Sequence, residues 1–204
     1  MFLEHSPAQI LRKRWRLVVF SGVLLAVLSF TILLVVPLAY RADAQILIIS
    51  KSRYGIDPYT AVKSAERVGE NLVQVVGTND FFNKVMYQSN YNLDKSLYTN
   101  VSEKNKRKNW EKSVSASMVY GSGVLNISAY GKTKDIATQL AGASAAALVA
   151  GGWEYVGGDV DFKIVNQPVV TDYPVRPNLP VNAVAGFIIG MVLMSAVVLR
   201  KSVV

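Results

Sequence analysis

The hydrophobic positions divide the chain into two long apolar ends and a polar middle. Leu17–Ala39 and Val181–Leu199 run for 23 and 19 residues without a charged side chain. As helices they would reach about 34 and 28 Å, close to the ~30 Å hydrocarbon core of a bilayer. The pattern therefore predicts two transmembrane helices that tether one central segment, Tyr40–Pro180, at both of its ends.

In the first half of the central segment, the apolar spacing predicts a strand followed by two helices. Ala42–Ser50 ends in an apolar run that is typical of a strand. From Thr60 onward the apolar residues recur at helical spacing, and Gly77 is expected to end that helix. A short second helix follows, with Asn79 or Asp80 expected as its cap.

In the second half, a hairpin leads to a helix of small residues and a last strand. Ser113–Tyr120 and Val124–Tyr130 flank a Gly-Ser-Gly turn, which favours a β-hairpin. Asp135–Gly151 follows as an alanine-rich helix and Val160–Asn166 as the final strand. The predicted order is β-α-α-β-β-α-β. Helices on one face of a mixed sheet would make a two-layer α+β domain.

The least regular stretch is Tyr87–Lys112, which contains a basic run around Trp110. We interpret it as a solvated loop or helix end. The functional alternative is contact with an anionic sugar polymer, with lipid phosphates or with a neighbouring subunit.

The basic residues indicate membrane orientation rather than a nucleic-acid partner. The formal net charge is +8, but residues 42–180 hold 15 basic and 13 acidic side chains. The remaining excess flanks the two apolar runs, chiefly through Arg12, Lys13, Arg14, Arg16, Arg200 and Lys201. Lys and Arg beside transmembrane helices stay in the cytoplasm. Both tails are therefore expected inside, and the domain outside, the plasma membrane.

The expected organisation has six segments. They are a cytoplasmic tail (1–16), a first transmembrane helix (17–39), an extracytoplasmic domain (40–167), a proline-rich connector (168–180), a second transmembrane helix (181–199) and a short cytoplasmic tail (200–204). The first apolar run exceeds the about 7–15 residues of a signal-peptide core, so we expect an uncleaved anchor. Pro174, Pro177 and Pro180 favour an extended polyproline II rod that fixes the pose of the domain.

Small residues at helical spacing mark candidate surfaces for close packing. In the two transmembrane segments these are Gly22, Ala26, Gly186 and Gly190. Small residues four apart let helices approach closely in lipid, within one subunit or between subunits. In the alanine-rich helix the corresponding residues are Ala137, Ala141 and Ala145, which would contact either a sheet or another subunit.

Groups that could carry catalysis are scarce. The chain has no cysteine, and its one histidine, His5, lies in the tail, which excludes thiolate chemistry and a Ser-His-Asp triad in the domain. Gly131–Thr133 (GKT) follows a strand and opens a helix, but Asn126 stands where a P-loop needs its first glycine. Asp159 and Asp161 fit a turn or strand edge better than a catalytic dyad. We expect no enzymatic activity, no cofactor and no metal.

Taken in order, these pieces match a known pattern over nearly the whole chain. The exit strand YRADAQILII is followed by a helix ending NLVQVVGTNDFF, the hairpin SVSASMVYGSGVLNISAYG, the helix DIATQLAGASAAAL and the strand DFKIVNQP. The proline-rich PVRPNLP that leads into VNAVAGFIIGMVL is the most specific part. The sequence resembles the polysaccharide co-polymerases, the chain-length determinant (Wzz-like) family.

This resemblance implies a non-enzymatic regulator of the chain length or export of a surface polysaccharide, such as O-antigen, capsule or exopolysaccharide. The expected partners are further copies of the chain in a homo-oligomer, a membrane polymerase, the growing glycan or its lipid carrier, and the bilayer of the bacterial inner membrane. On this hypothesis the prolines would set the domain pose, the glycines would pack the transmembrane helices within or between subunits, and the alanines would contact another subunit or the sheet.

The sequence departs from that family in two ways. The domain is small and has no counterpart of the long helix of larger members, which argues against a tall protein barrel. The five residues after the second apolar run carry neither a kinase domain nor a tyrosine cluster. Two alternatives stay open: an adaptor that activates a separate cytoplasmic tyrosine kinase, and a general envelope scaffold.

Overall fold

The computed structural model describes residues 7–33, 35–50, 57–157 and 160–203. The chain divides into two compact units, one made of its two terminal segments, to Leu38 and from Arg176, and the other of Ala39–Val175. The central unit is a mixed α+β domain with one four-stranded sheet. His5 and Asp159 lie outside the described residues.

The sheet is antiparallel throughout. Its strands are β1 (Tyr40–Ser50), β2 (Val114–Val119), β3 (Val124–Gly131) and β4 (Val160–Val170), in the spatial order β2-β3-β1-β4. The expectation of a mixed sheet is therefore wrong. Strands β3 and β4 run parallel to each other, but β1 lies between them, which is a split β-α-β arrangement.

The strand β4 is longer than the sequence pattern predicts. It continues through Pro168 to Val170, where a connector was expected to begin. Its register against β1 shifts twice, around Gln45. Proline and bulges are tolerated at a sheet edge, where they disturb only one ladder and discourage pairing with other chains.

Two helices follow β1, and both begin at a side-chain cap. The helix α3 (Pro58–Val76) starts with the Asp57 carboxylate accepting from Thr60 N, and Gly77 ends it as predicted. The helix α4 (Asn79–Met86) is capped by Thr78 rather than by Asn79 or Asp80, since the Thr78 hydroxyl accepts from Phe81 N. Satisfying these first amides stabilises each helix start.

The basic stretch before β2 forms a helix, α5 (Glu103–Ser113), which the sequence interpretation left as a loop or helix end. Trp110 is buried in the core and donates its indole N–H to Val76 O at 2.8 Å. Its ring lies 5.2 Å from that of Phe82, which in turn lies 4.9 Å from Tyr98. This aromatic cluster, with the Ser102 cap, holds a helix whose other residues are mostly charged.

The core lies between the sheet and the helix α6 (Lys134–Gly151), with the single turn α7 (Trp153–Val156) after it. Thr133 caps α6 by accepting from Ile136 N, which agrees with the expected strand–helix turn. The sheet-facing residues of β1 and β3 are buried: Ala42, Ala44, Ile46, Ile48, Leu125, Ile127 and Ala129. Ala137, Ala141 and Ala145 of α6 are fully buried in the same core. The sequence leaves contact with a sheet or with another subunit open for these alanines, and the structure shows contact with the sheet.

The described part of the terminal unit contains three helices. They are α1 (Pro7–Lys13), α2 (Trp15–Leu33) and α8 (Leu179–Val203). The first apolar helix ends at Leu33, six residues before the predicted limit, and Val35 and Val36 form a turn before Pro37. Proline removes an amide donor and disfavours helical geometry in the preceding residue.

We expect Trp110→Phe to lower the free energy of unfolding by about 1–3 kcal/mol, because it leaves Val76 O unpaired and a cavity in the aromatic cluster. The measurement is urea unfolding of the full chain in detergent micelles, followed by near-UV circular dichroism. Trp153→Phe is the matched control, since Trp153 also donates to a backbone carbonyl but is half exposed. An equal loss in both variants would contradict the anchoring role of Trp110.

Candidate functional site

The two apolar helices pack together through small residues. A Cβ added at Gly190 would lie 2.6 Å from Ser21 O and 2.8 Å from Gly22 Cα. A Cβ added at Gly186 would lie 2.9 Å from both Leu25 O and Ser29 Cβ. Because these neighbours are mostly backbone atoms, only glycine permits this separation of α2 and α8.

Two hydrogen bonds join the same helix faces. Ser21 Oγ donates to Gly190 O at 3.3 Å, and Ser29 Oγ donates to Asn182 O at 3.2 Å. Ser21 and Ser29 therefore both contact the face of α8 that carries the two glycines. Small residues and interhelical hydroxyl bonds are the contacts that hold helices together in lipid, where the hydrophobic effect does not act between them.

The outward faces of the helix pair are apolar. Exposed large side chains occur along both helices, among them Phe20, Val27, Ile32, Val184, Ile188 and Val192. Trp15–Leu33 and Leu179–Arg200 are each long and apolar enough to cross a bilayer. A helix that is apolar all round needs either a protein core or lipid around it.

The three connector prolines occupy three different environments. Pro174 lies in an irregular segment after β4, Pro177 follows a cis peptide bond from Arg176, and Pro180 belongs to the first turn of α8. Asn178 accepts from Val181 N through its side chain, as a helix cap does. The prolines therefore do not form the single extended rod that their spacing predicts.

The chain enters and leaves the central domain at neighbouring points. Thr171 N donates to Arg41 O at 2.8 Å, and Arg41 N donates to Thr171 Oγ1 at 3.2 Å. Further along, Val175 N donates to Ala39 O at 2.8 Å. These bonds continue the pairing of β1 with β4 beyond the strands, so the two connections to the apolar helices begin side by side.

The sheet face opposite the helices carries a polar network that the sequence analysis did not identify. The Arg41 guanidinium forms a bidentate pair with Asp43, with Nε at 2.9 and 2.8 Å from its two carboxylate oxygens. Ser128 Oγ donates to Asp43 at 2.5 Å, and Asn126 donates to Ser128 at 3.3 Å. Alternation along β1 and β3 is the only sequence signal, since it points these residues away from the core.

The network sets the charge state of its carboxylate. Burial disfavours the ionised form of Asp43, but the hydrogen bonds from Arg41 and Ser128 outweigh it and lower the pKa of Asp43. The pKa of Arg41 is raised by its bond to the same carboxylate. A second bond, from Asn166 Nδ2 to Gln45 Oε1 at 2.5 Å, extends the polar row to β4.

The remaining acid–base candidates have structural partners. Asp161 lies on the open face of β4, opposite Ile49. Tyr155 donates to Asp80, and burial together with that carboxylate raises the pKa of Tyr155. Across the described ranges, no three acidic or histidine side chains converge in a way that would hold a metal ion. The site therefore consists of packing and hydrogen-bonding surfaces.

We expect Gly190→Leu to separate α2 from α8, because its side chain would occupy the space of Ser21 O. Since the chain has no cysteine, Ser29→Cys with Asn182→Cys provides a reporter of helix proximity. Mild oxidation should crosslink this pair, and Gly190→Leu should lower the yield several-fold by mass spectrometry of the digested chain. Ala196→Leu, at an exposed position of α8, is the control. An undiminished crosslink in Gly190→Leu would refute the contact.

We expect the stability of the domain to fall as the pH is lowered below about 5 and on through the folded-state pKa of Asp43. The folded-state pKa of Asp43 lies below its unfolded value of about 3.9, so its stabilising effect is present above that value and is lost as the carboxylate is protonated. Asp43→Asn should lower the free energy of unfolding by about 1 kcal/mol at neutral pH and flatten this dependence. Asp172→Asn is the control, because Asp172 is almost fully exposed. Equal slopes for wild type and Asp43→Asn would disprove the assignment.

Comparison with known proteins does not extend this picture. No protein-family model matches the chain. A search of curated proteins also gives no match.

Proposed function

We propose that this chain is a non-enzymatic regulator of surface polysaccharide assembly in a bacterial plasma membrane. It acts as a homo-oligomeric scaffold beside a separate membrane polymerase and sets the length or export of the polymer. The proposal joins the resemblance to the polysaccharide co-polymerases with the physical character of the molecule.

The observation that carries it is the double attachment of the domain. Its first strand and the segment after its last strand leave side by side, from Ala39 and Val175, toward two helices that pack through Gly186 and Gly190. Attachment at both ends limits the freedom of the domain far more than a single anchor would. A protein that aligns other components at a membrane surface needs such a constraint.

The orientation follows from charge. Arg12, Lys13, Arg14 and Arg16 precede or open the first apolar helix, and Arg200 and Lys201 lie in the last turn of the second. The positive-inside tendency supports an orientation with both termini in the cytoplasm and the domain on the outer side, where surface polymers are assembled. The polar open face of the sheet supports a role in contact with a hydrated polymer or another subunit.

The test is the size profile of surface polysaccharide, resolved on a gel, from a deletion strain and from strains complemented with variants. We expect deletion to abolish a preferred length and the wild-type gene to restore it. Gly186→Leu with Gly190→Leu should fail to restore it although the protein still inserts, while Ala196→Leu should succeed.

Other outcomes would redirect the assignment. Complete loss of polymer would favour control of export or of a cytoplasmic tyrosine kinase. An unchanged profile in the deletion strain would refute the proposal and leave a general envelope scaffold. Membrane fractionation and immunoblotting establish that each variant is present at the wild-type level.

A further inference from the structure

A polar cavity of about 510 Å³ lies in the segment that joins α4 to α5. One continuous stretch of chain forms its lining, including Tyr87, Gln88, Tyr91, Asn92 and Lys95. Its volume falls within the range of small-molecule sites. Two tyrosines, two residues with side-chain amides and a lysine therefore line one cavity outside the features described above. The amide of Gln88 also donates to Lys84 O at 3.5 Å.

The floor of the cavity is held by the core. Tyr91 lies directly on α6, where a Cβ added at Gly142 would be 2.6 Å from its ring. Tyr91 and Leu93 both pack against the buried cluster, and Gln88 N donates to Val85 O at 3.0 Å. The backbone of the lining is thus positioned before any ligand arrives, which lowers the entropic cost of binding.

Tyr87 differs from Tyr91 in its exposure to solvent. The residue is 85% exposed, whereas Tyr91 is partly buried. A large ring left in water forgoes the stabilisation that burial would give. The ring is therefore free to cover one face of a bound molecule.

The stretch of chain that contains the cavity lining is rich in positive charge. The segment Lys84–Lys112 contains seven basic and three acidic side chains, although the whole of residues 42–180 has 15 and 13. Asn109 of α5 donates to Leu97 O at 2.8 Å and so ties that helix to the chain that follows the cavity. The cavity and α5 belong to one basic region.

The outer face of α5 carries cations without compensation. Lys104 and Lys108 are exposed and four residues apart, and neither forms an ion pair with any other described residue. Like charges at this spacing destabilise a helix. Trp110 fixes which face of α5 points inward, so these two lysines are held toward solvent, where an anionic partner would relieve their repulsion.

We propose that the cavity and the outer face of α5 bind an acidic sugar polymer. One sugar ring occupies the cavity, with its C–H face on Tyr87 and its hydroxyls on the amides of Gln88 and Asn92. The carboxylate of this sugar and those of the next sugars along the polymer pair with Lys95, Lys104 and Lys108. An anionic lipid would use the lysines but has no need of paired amides beside an aromatic ring. This proposal rests on the proposed function, because that function supplies the glycan that would bind here.

The test is isothermal titration of the full chain, in nanodiscs of zwitterionic lipid, with hexagalacturonate and with the neutral maltohexaose. We expect hexagalacturonate to bind and maltohexaose to bind at least about tenfold more weakly. Tyr87→Ala should weaken hexagalacturonate binding by about tenfold. Lys104→Gln with Lys108→Gln should weaken it and reduce its dependence on salt.

The controls are chosen from other surfaces of the same domain. Tyr120→Ala removes an equally exposed ring at the hairpin turn, and Lys163→Gln removes an exposed lysine on the opposite sheet face. Both should bind as wild type does. Near-UV circular dichroism establishes that each variant is folded.

Three results would overturn the proposal: no binding of hexagalacturonate, equal affinity for maltohexaose, or unchanged affinity in Tyr87→Ala. Binding to phosphatidylglycerol vesicles that Tyr87→Ala leaves intact, without binding of hexagalacturonate, would assign the lysines to lipid and also overturn it. The failure of the proposed function is separate. A normal polymer length in the deletion strain would refute that function even if the glycan binds.

Discussion

The pairing of β1 with β4 is the constraint on which the rest of the molecule depends. It joins the first and last strands of the domain, and the bonds of Thr171 and Val175 to the chain before and within β1 extend it to the entry point. The chain therefore enters and leaves the domain at one place. Loss of the β1–β4 pairing would open the sheet at its edge and separate these two points of the domain.

Small residues serve close approach in both units, but the surroundings make their energetics different. In the domain, Ala137 and Ala141 bring α6 onto the sheet, where burial of apolar surface from water stabilises the contact. Between α2 and α8, Gly186 and Gly190 bring backbone against backbone, and dispersion with serine hydrogen bonds must hold the pair. Small residues at helical spacing therefore indicate close packing in both units, but they do not identify the packing partner.

Periodic and capping signals predicted the elements that depend on local order. The strands, the helix that ends at Gly77 and the strand–helix turn at Gly131–Thr133 follow from such signals, whereas the cap of α4 is Thr78 and not Asn79 or Asp80. The helix α5 could not be found this way, because its residues are mostly charged and its stability comes from Trp110, which meets partners distant in sequence. The Arg41 network was missed for a similar reason, since its members lie on different strands and become neighbours only through the sheet register. The spacing of Pro180 predicts an extended connector, but the residue lies in the first turn of α8, a position that proline also favours.

The two polar surfaces of the domain differ in how many of their polar side chains already form hydrogen bonds or ion pairs within the domain. On the open sheet face, Asp43 is bound by Arg41 and Ser128, so a ligand there would have to replace bonds that exist. On the opposite side, Tyr87 is exposed and Lys108 has no ion-pair partner among the described residues, so a ligand reaches these two side chains without displacing an ion pair, although Gln88 Nε2 already donates to Lys84 O at 3.5 Å. The proposed glycan site therefore uses exposed groups near α4 and α5, whereas the polar network of the sheet face keeps its existing bonds and offers a hydrated surface to a polymer or another subunit.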